Sequence, residues 1–201
     1  MTNESFIPLS SQAQKKLDDP KCNFSLYSPR MVLWKFSERE LKVDNTAVCG
    51  LCTKSKILLS SAGDFLEKKH ELQEAYIDSL KQQGIITFSI QAKTSSPFIT
   101  GLGSGHPTET GMILDRNTGV PYLPASSIKG VMRLACAVNL AETKYTDGDV
   151  PENDAVLVKY FGAMTQDKKN QSRGQLMFLD AYPVRCNGLK LDIMNAHFGA
   201  Y

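Results

Sequence analysis

The chain carries almost no excess charge. Its 23 lysines and arginines nearly balance 21 aspartates and glutamates, leaving a net charge of +2. A protein that coats nucleic acid non-specifically is far more basic, so any nucleic-acid contact here must be a local patch. No stretch approaches the ~18–20 consecutive apolar residues of a membrane span, so no membrane partner is expected. Met1-Thr2-Asn3-Glu4 offers no basic region ahead of an apolar stretch. No secretory signal is expected, and the chain is read as cytoplasmic. There are five cysteines, an odd number with irregular spacing, which argues against a disulfide framework. The single C-x-x-C, Cys49 and Cys52, has no second pair and no nearby His-x-x-x-His to close a tetrahedral zinc site. Reduced, inert thiols and no cofactor are the expectation.

What is present suits one domain with an extension: 201 residues, 42% hydrophobic and 22% charged. Residues 1–30 are turn-rich, broken by Pro8, Pro20 and Pro29. Short helices are expected over 10–17 and 30–41. From Asp64 to Gln83 the pattern is helical, with Phe65, Leu72, Tyr76 and Leu80 on the inward stripe and Gly84 as the stop. Ile85–Lys93 alternates like a half-buried strand, and 94–110 is a long loop. Met112–Asp115 and Val120–Leu123 read as a hairpin. Ser126 to about Glu142 is a helix with Ile128, Val131, Ala135 and Val138 inward. After an acidic loop come a short helix from Asp154 to Phe161, a polar loop, a strand at Leu176–Ala181 and a hairpin over Val184–Leu191. This order is α+β with antiparallel character. Met112, Val120 and the Phe6–Trp34 region put apolar residues on irregular segments, so a neighbouring subunit is expected to cover part of them.

The chemistry concentrates between residues 101 and 133. Gly101, Gly103 and Gly105 permit positive φ and close backbone approach, so the N–H groups around Ser104 can face an anion. Ser126 and Ser127 stand where a helix begins, and such ends bind phosphate through free N–H groups and the dipole. Lys129 and Arg133, four apart, share a helical face, and Gly130 between them points to close packing. Residue types alone fit an ordinary loop and capped helix equally well. His106 has Glu109 nearby but no second histidine, so it is read as an RNA hydrogen-bonder or a lock on its loop rather than a catalyst. Asp115, Asp147 and Asp149 offer carboxylates to a divalent metal, with solvated turns the plainer reading. Lys168, Lys169 and Arg173 form a basic cluster fit for RNA phosphates or an acidic neighbour, with a solvated loop the plainer reading.

The run Leu123-Pro124-Ala125-Ser126-Ser127-Ile128-Lys129-Gly130-Val131-Met132-Arg133 resembles the signature of the RAMP superfamily of CRISPR proteins. Gly105-His106-Pro107-Thr108-Glu109-Thr110-Gly111 and Gly119-Val120-Pro121-Tyr122 narrow it to the family of the sixth RAMP subunit of type III-B effector complexes. Tyr160-Phe161-Gly162 and Gly174-Gln175-Leu176-Met177-Phe178-Leu179-Asp180-Ala181 fit that family's later element. The likeness spans about 85–201. It implies a ferredoxin-like, RRM-like RNA-binding core there, after a mostly helical extension over 1–84. It implies a non-catalytic subunit that binds guide (CRISPR) RNA and target RNA beside other RAMP subunits, including a backbone subunit. RNA-facing residues would be Gly103, Ser104, Gly105, His106, Ser126, Ser127, Lys129, Arg133, Lys168, Lys169 and Arg173. The alternative is a metal-independent endoribonuclease with His106 as general acid or base. The family continues past the equivalent of Tyr201, so a truncated chain is expected.

Overall fold

The computed structural model describes residues 5–37, 40–144, 154–163 and 171–192. Asp147, Asp149, Lys168 and Lys169 lie outside them. The architecture is mixed. Helices α1 (Ser11–Leu17) and α2 (Phe24–Tyr27) precede strands β1 (Trp34–Ser37) and β2 (Glu40–Val43). Helices α3 (Ala47–Ser60), α4 (Gly63–Gln82), α5 (Ala125–Lys144) and α6 (Ala155–Phe161) follow. Last come two-residue strands β3 (Gly162–Ala163) and β4 (Ser172–Arg173). Both sheets are two-stranded and antiparallel.

The chain divides into two compact units. One comprises residues up to Tyr122 together with Tyr182 onward, and the other Leu123–Ala181. The first holds the main core, in which Phe24, Val32, Leu58, Leu59 and Val120 are nearly inaccessible. Val120, expected to await a neighbouring subunit, is therefore an internal packing residue. Helix α3 supplies Ala47, Leu51, Leu58 and Leu59. Ser55 on α3 is also fully buried. It donates to the Cys52 carbonyl at 2.7 Å and accepts the Leu189 N–H at 2.8 Å, which satisfies a hydroxyl that burial would otherwise penalise. Leu189 sits in a segment expected to be a hairpin; no strand forms across 184–191.

Where a helix over 30–41 was expected, Trp34–Ser37 and Glu40–Val43 pair as antiparallel strands, with Phe6 bridged to Trp34 by two 2.8 Å backbone bonds. Phe6 also stacks on Phe36 at 5.8 Å. Aromatic residues with cross-strand partners outweigh the helical spacing here. Helix α4 forms as expected but presents another face. Leu66 is buried and His70, Gln73, Ile77 and Leu80 are half-buried, while Phe65, Leu72 and Tyr76 are exposed. The helix is apolar on two adjoining stripes, and tertiary packing selects the one rotated by about one residue, ~100°.

Residues 85–93 pair with no strand, and Ile86, Phe88 and Ile90 are each more than four-fifths exposed. The hairpin at 112–123 is reduced to one bridge, Leu114 to Pro121, closed by Asp115 N–H to the Val120 carbonyl at 2.9 Å. Asn23 clamps its turn, donating to the carbonyls of Arg116 and Asn117 at 2.9 Å each.

In the second unit, α5 runs as expected but Val131, Ala135 and Val138 face outward; of the expected inward residues only Ile128 is half-buried. The half-buried face instead carries Lys129, Arg133, Cys136, Ala137 and Leu140. Gly130 has open space where a Cβ would stand, so close packing is not its role. Helix α6 is capped by buried Asp154, which accepts the Val156 N–H and pairs with Lys144, both at 2.8 Å. Residues 176–180 make no ladder, and only Ala181 is bridged, to Leu123.

Candidate nucleic-acid interface

The residues proposed from sequence fall into the two units. The glycine-rich loop belongs to the first. Its base is tied by the Ile113 N–H to the Thr100 carbonyl at 2.9 Å and the Thr100 hydroxyl to the Tyr122 carbonyl at 3.0 Å. Gly101 has φ +81° and lies against Ile113, so a side chain there would be strained and would clash. Gly103 and Gly105 have neither positive φ nor close neighbours; only the first of the three glycines needs to be glycine for the fold.

His106 is half-buried. Its Nδ1 faces the Thr108 hydroxyl at 2.7 Å and the Thr108 N–H at 3.2 Å. An N–H can only donate, so Nδ1 is the acceptor and the neutral ring carries its proton on Nε2. Burial lowers the imidazole below its ordinary 6.5, opposed by a hydrogen bond to the Ser28 backbone. The ring thus locks a turn in which Glu109 adopts φ +63°. Loop-locking was one of the two roles read for His106 from sequence.

Behind the loop lies a network that sequence reasoning missed. Asp115 Oδ1 accepts from the Asn117 N–H, the Thr118 N–H and the Thr118 hydroxyl at 2.8–3.0 Å. Its Oδ2 accepts from Lys69 Nζ at 3.0 Å and the Tyr182 hydroxyl at 3.2 Å. Lys69 also sits 4.6 Å above the Tyr182 ring, and Tyr182 stacks on Tyr122 at 5.3 Å. Burial pushes the Asp115 carboxyl up, but the Thr118 bonds and Lys69 outweigh it and hold it at about 2. The Lys69 ammonium is lowered by burial and raised more strongly by Tyr182 and Asp115. A carboxylate with five donors is a structural hub, and its oxygens are committed. Among the described residues, no group of three or more His, Cys, Asp or Glu is placed to hold a metal, and all five cysteines are free thiols.

The second unit holds the clearest surface for an anion. An open cleft of about 220 Å³ is lined by Ser126, Lys129, Arg173, Leu176, Met177 and Phe178, together with Ala125 and Gly174. Gly174 lies directly against the Tyr160 carbonyl and the Phe161–Gly162 backbone, so no larger residue fits where β4 leaves β3. Three residues singled out from sequence, Ser126, Lys129 and Arg173, meet here. Arg133, on the same face of α5 as Lys129, does not line the cleft, and exposed Ser127 does not either. Among the described residues, no carboxylate lines the cleft, although the Asp180 carboxylate bonds the N–H of its lining residue Ala125.

The start of α5 differs from expectation. The helix begins at Ala125, one residue early, and the Ser127 and Ile128 N–H groups bond the Pro124 carbonyl. The Asp180 carboxylate accepts the Ala125 N–H at 2.7 Å, so one of the donors expected to face phosphate is already occupied.

The chain is a member of the RAMP superfamily, whose family model matches residues 91–195. It is similar to the protein described as CRISPR system Cmr subunit Cmr6 from Pyrococcus furiosus, 30% identical over 204 residues, covering 80% of this chain. The matched part is 59% of that relative's own length. Eighty per cent of this chain is more than residues 85–201 contain, so the likeness reaches into the amino-terminal extension, where no motif was legible.

Proposed function

We propose that this chain is a non-catalytic RNA-binding subunit of a type III-B CRISPR RNA-guided effector complex in the cytoplasm. It caps the guide-RNA 3′ side of the filament, next to a backbone subunit and other RAMP subunits, where guide and target RNA pair. Residues 85–201 form its ferredoxin-like, RRM-like core, and 1–84 its extension. The family match and the similarity to Cmr6 support this reading. The observation that carries it is the cleft where Ser126, Lys129 and Arg173 converge. Lys129 and Arg173 suit phosphate oxygens, and Arg can engage them bidentately. Such contacts position RNA without reading it, and sequence is left to guide–target pairing. Gly103, Ser104, Gly105 and His106 provide a second backbone contact, with Arg133, Ser127, Lys168 and Lys169 contributing charge and hydroxyls.

The endoribonuclease alternative gains no support from His106, whose Nδ1 is engaged by Thr108. Incubating the purified protein with repeat and guide RNA, with and without EDTA, tests both readings. Binding without cutting is expected. Specific cutting that disappears in His106→Ala overturns the non-catalytic assignment, and absence of RNA binding, alone and in the assembled complex, overturns the proposal.

A further inference from the structure

We propose that the cleft beside α5 takes one unstacked nucleotide of single-stranded RNA, its phosphate on Lys129 and Arg173 and its base on the wall of Leu176, Met177 and Phe178. The inference rests on the RNA-binding reading above and adds the base.

Two unlike surfaces share this cleft. Phosphate chemistry accounts for Lys129, Arg173 and Ser126. It does not account for Leu176 and Met177, which leave 43% and 49% of their surface exposed on the same boundary. Phe178 is held by stacking on Phe161 at 6.2 Å with the rings 13° apart, so it enters the wall as a fixed plane. Apolar side chains beside cations are the pairing a nucleotide needs, an anion joined to a flat apolar ring. Asp180 already takes the Ala125 N–H, which leaves the two cations, rather than the helix terminus, as the phosphate ligands.

Size and chemistry narrow the occupant. The cleft is smaller than the ~300–1,000 Å³ of pockets that enclose drug-sized ligands. It is also open, which suits a nucleotide whose neighbours continue on either side. A duplex keeps its bases stacked on one another, so only a single strand has a face to offer the wall. Among the described residues, the boundary carries no Asn, Gln, Asp or Glu to read a base edge. Stacking without such groups accepts any base, because every base has a π-face.

The test measures affinity of the whole chain by fluorescence anisotropy. The probes are a single-stranded oligoribonucleotide, the same backbone with abasic positions, and the corresponding duplex. The abasic strand and the duplex are expected to bind roughly tenfold more weakly than the intact strand. Phe178→Leu should weaken the intact strand roughly fivefold to tenfold and leave the abasic strand unchanged. Leu176→Ala, at an exposed position, should do the same more mildly and without risk to folding. Equal affinity for intact and abasic strands overturns the base-stacking inference and leaves the phosphate reading standing. If Lys129→Ala with Arg173→Ala binds all three probes as tightly as the parent, the cleft is not an RNA site and both readings fall.

Discussion

The Asp180 carboxylate accepts the backbone N–H of Ala125 at 2.7 Å, so the helix of the RAMP signature is capped by a residue fifty-five positions downstream. A negative charge at a helix N-terminus is favourable, and the bond satisfies a donor that the helix cannot. The bond joins two separate motifs, Pro124-Ala125-Ser126-Ser127 and the later Phe178-Leu179-Asp180-Ala181. Asp180→Ala should cost about 1 kcal/mol, and Asp180→Asn less, because an amide oxygen still accepts. Urea unfolding followed by circular dichroism measures both; equal stability of Asp180→Ala and the parent would contradict the cap.

Lys129→Ala with Arg173→Ala should lower RNA affinity by about 2–4 kcal/mol, from ~1–2 kcal/mol per charge-assisted contact. The loss should be similar for all guide sequences. The parent's log–log salt slope should correspond to about three to five contacts, at roughly −0.7 each for single strands. The double variant should lose about two of them. Arg133→Ala, outside the cleft, should change the slope less. A parent slope near zero would remove the phosphate patch.

Asp115 contributes to the acid stability of the first unit. Its carboxyl is held at about 2 in the fold against an ordinary 3.8. A depressed carboxylate stabilises the fold fully above about pH 4, and that contribution is lost as pH falls through about 2. Asp115→Asn should therefore flatten the acid limb of the unfolding curve between those values. Asp115→Ala should cost about 2–4 kcal/mol at neutral pH, because Lys69 and the Thr118 N–H lose their partner. Thermal unfolding across pH distinguishes the two variants.

The His106 turn should depend on pH in a parallel way. Burial holds the ring below its ordinary 6.5, so the fold favours the neutral form. This contribution is complete above pH 6.5 and is lost as pH falls below it. Protonation puts a hydrogen on Nδ1, where the Thr108 N–H already donates. NMR titration should find His106 titrating below 6.5, with Thr108 and Glu109 amides shifting alongside it. A midpoint above 6.5 would show that the ring is not held as described.

Local pattern accounts for much of this chain, and the reasons are visible residue by residue. Four helices were legible, at about 10–17, 64–83, 126–142 and 154–161, with Gly84 and Gly162 as stops, and they form at Ser11–Leu17, Gly63–Gln82, Ala125–Lys144 and Ala155–Phe161. Helix α3 was not, because its Cys, Gly, Thr, Ser and Lys residues dilute the periodicity and Thr46 makes no side-chain cap. The expected strand at 85–93 carries the right alternation and that at 176–181 an apolar run, but a strand exists only when a neighbour accepts its backbone bonds. The RAMP signature was readable because it is contiguous, and it carried the family assignment.

Periodicity determines that a helix is amphipathic; it does not determine which of two adjoining apolar stripes turns inward. On α4 that choice fell to Leu66 and Ile77 rather than Phe65 and Leu72. Pairings between distant residues were likewise decided only in three dimensions. No spacing rule links Lys69 to Asp115 and Tyr182, or Arg173 to Lys129. Each of those contacts depends on where the backbone places two side chains at once. Sequence fixes which groups can carry charge or hydrogen bonds, while their distance, burial and partners exist only after the chain has packed.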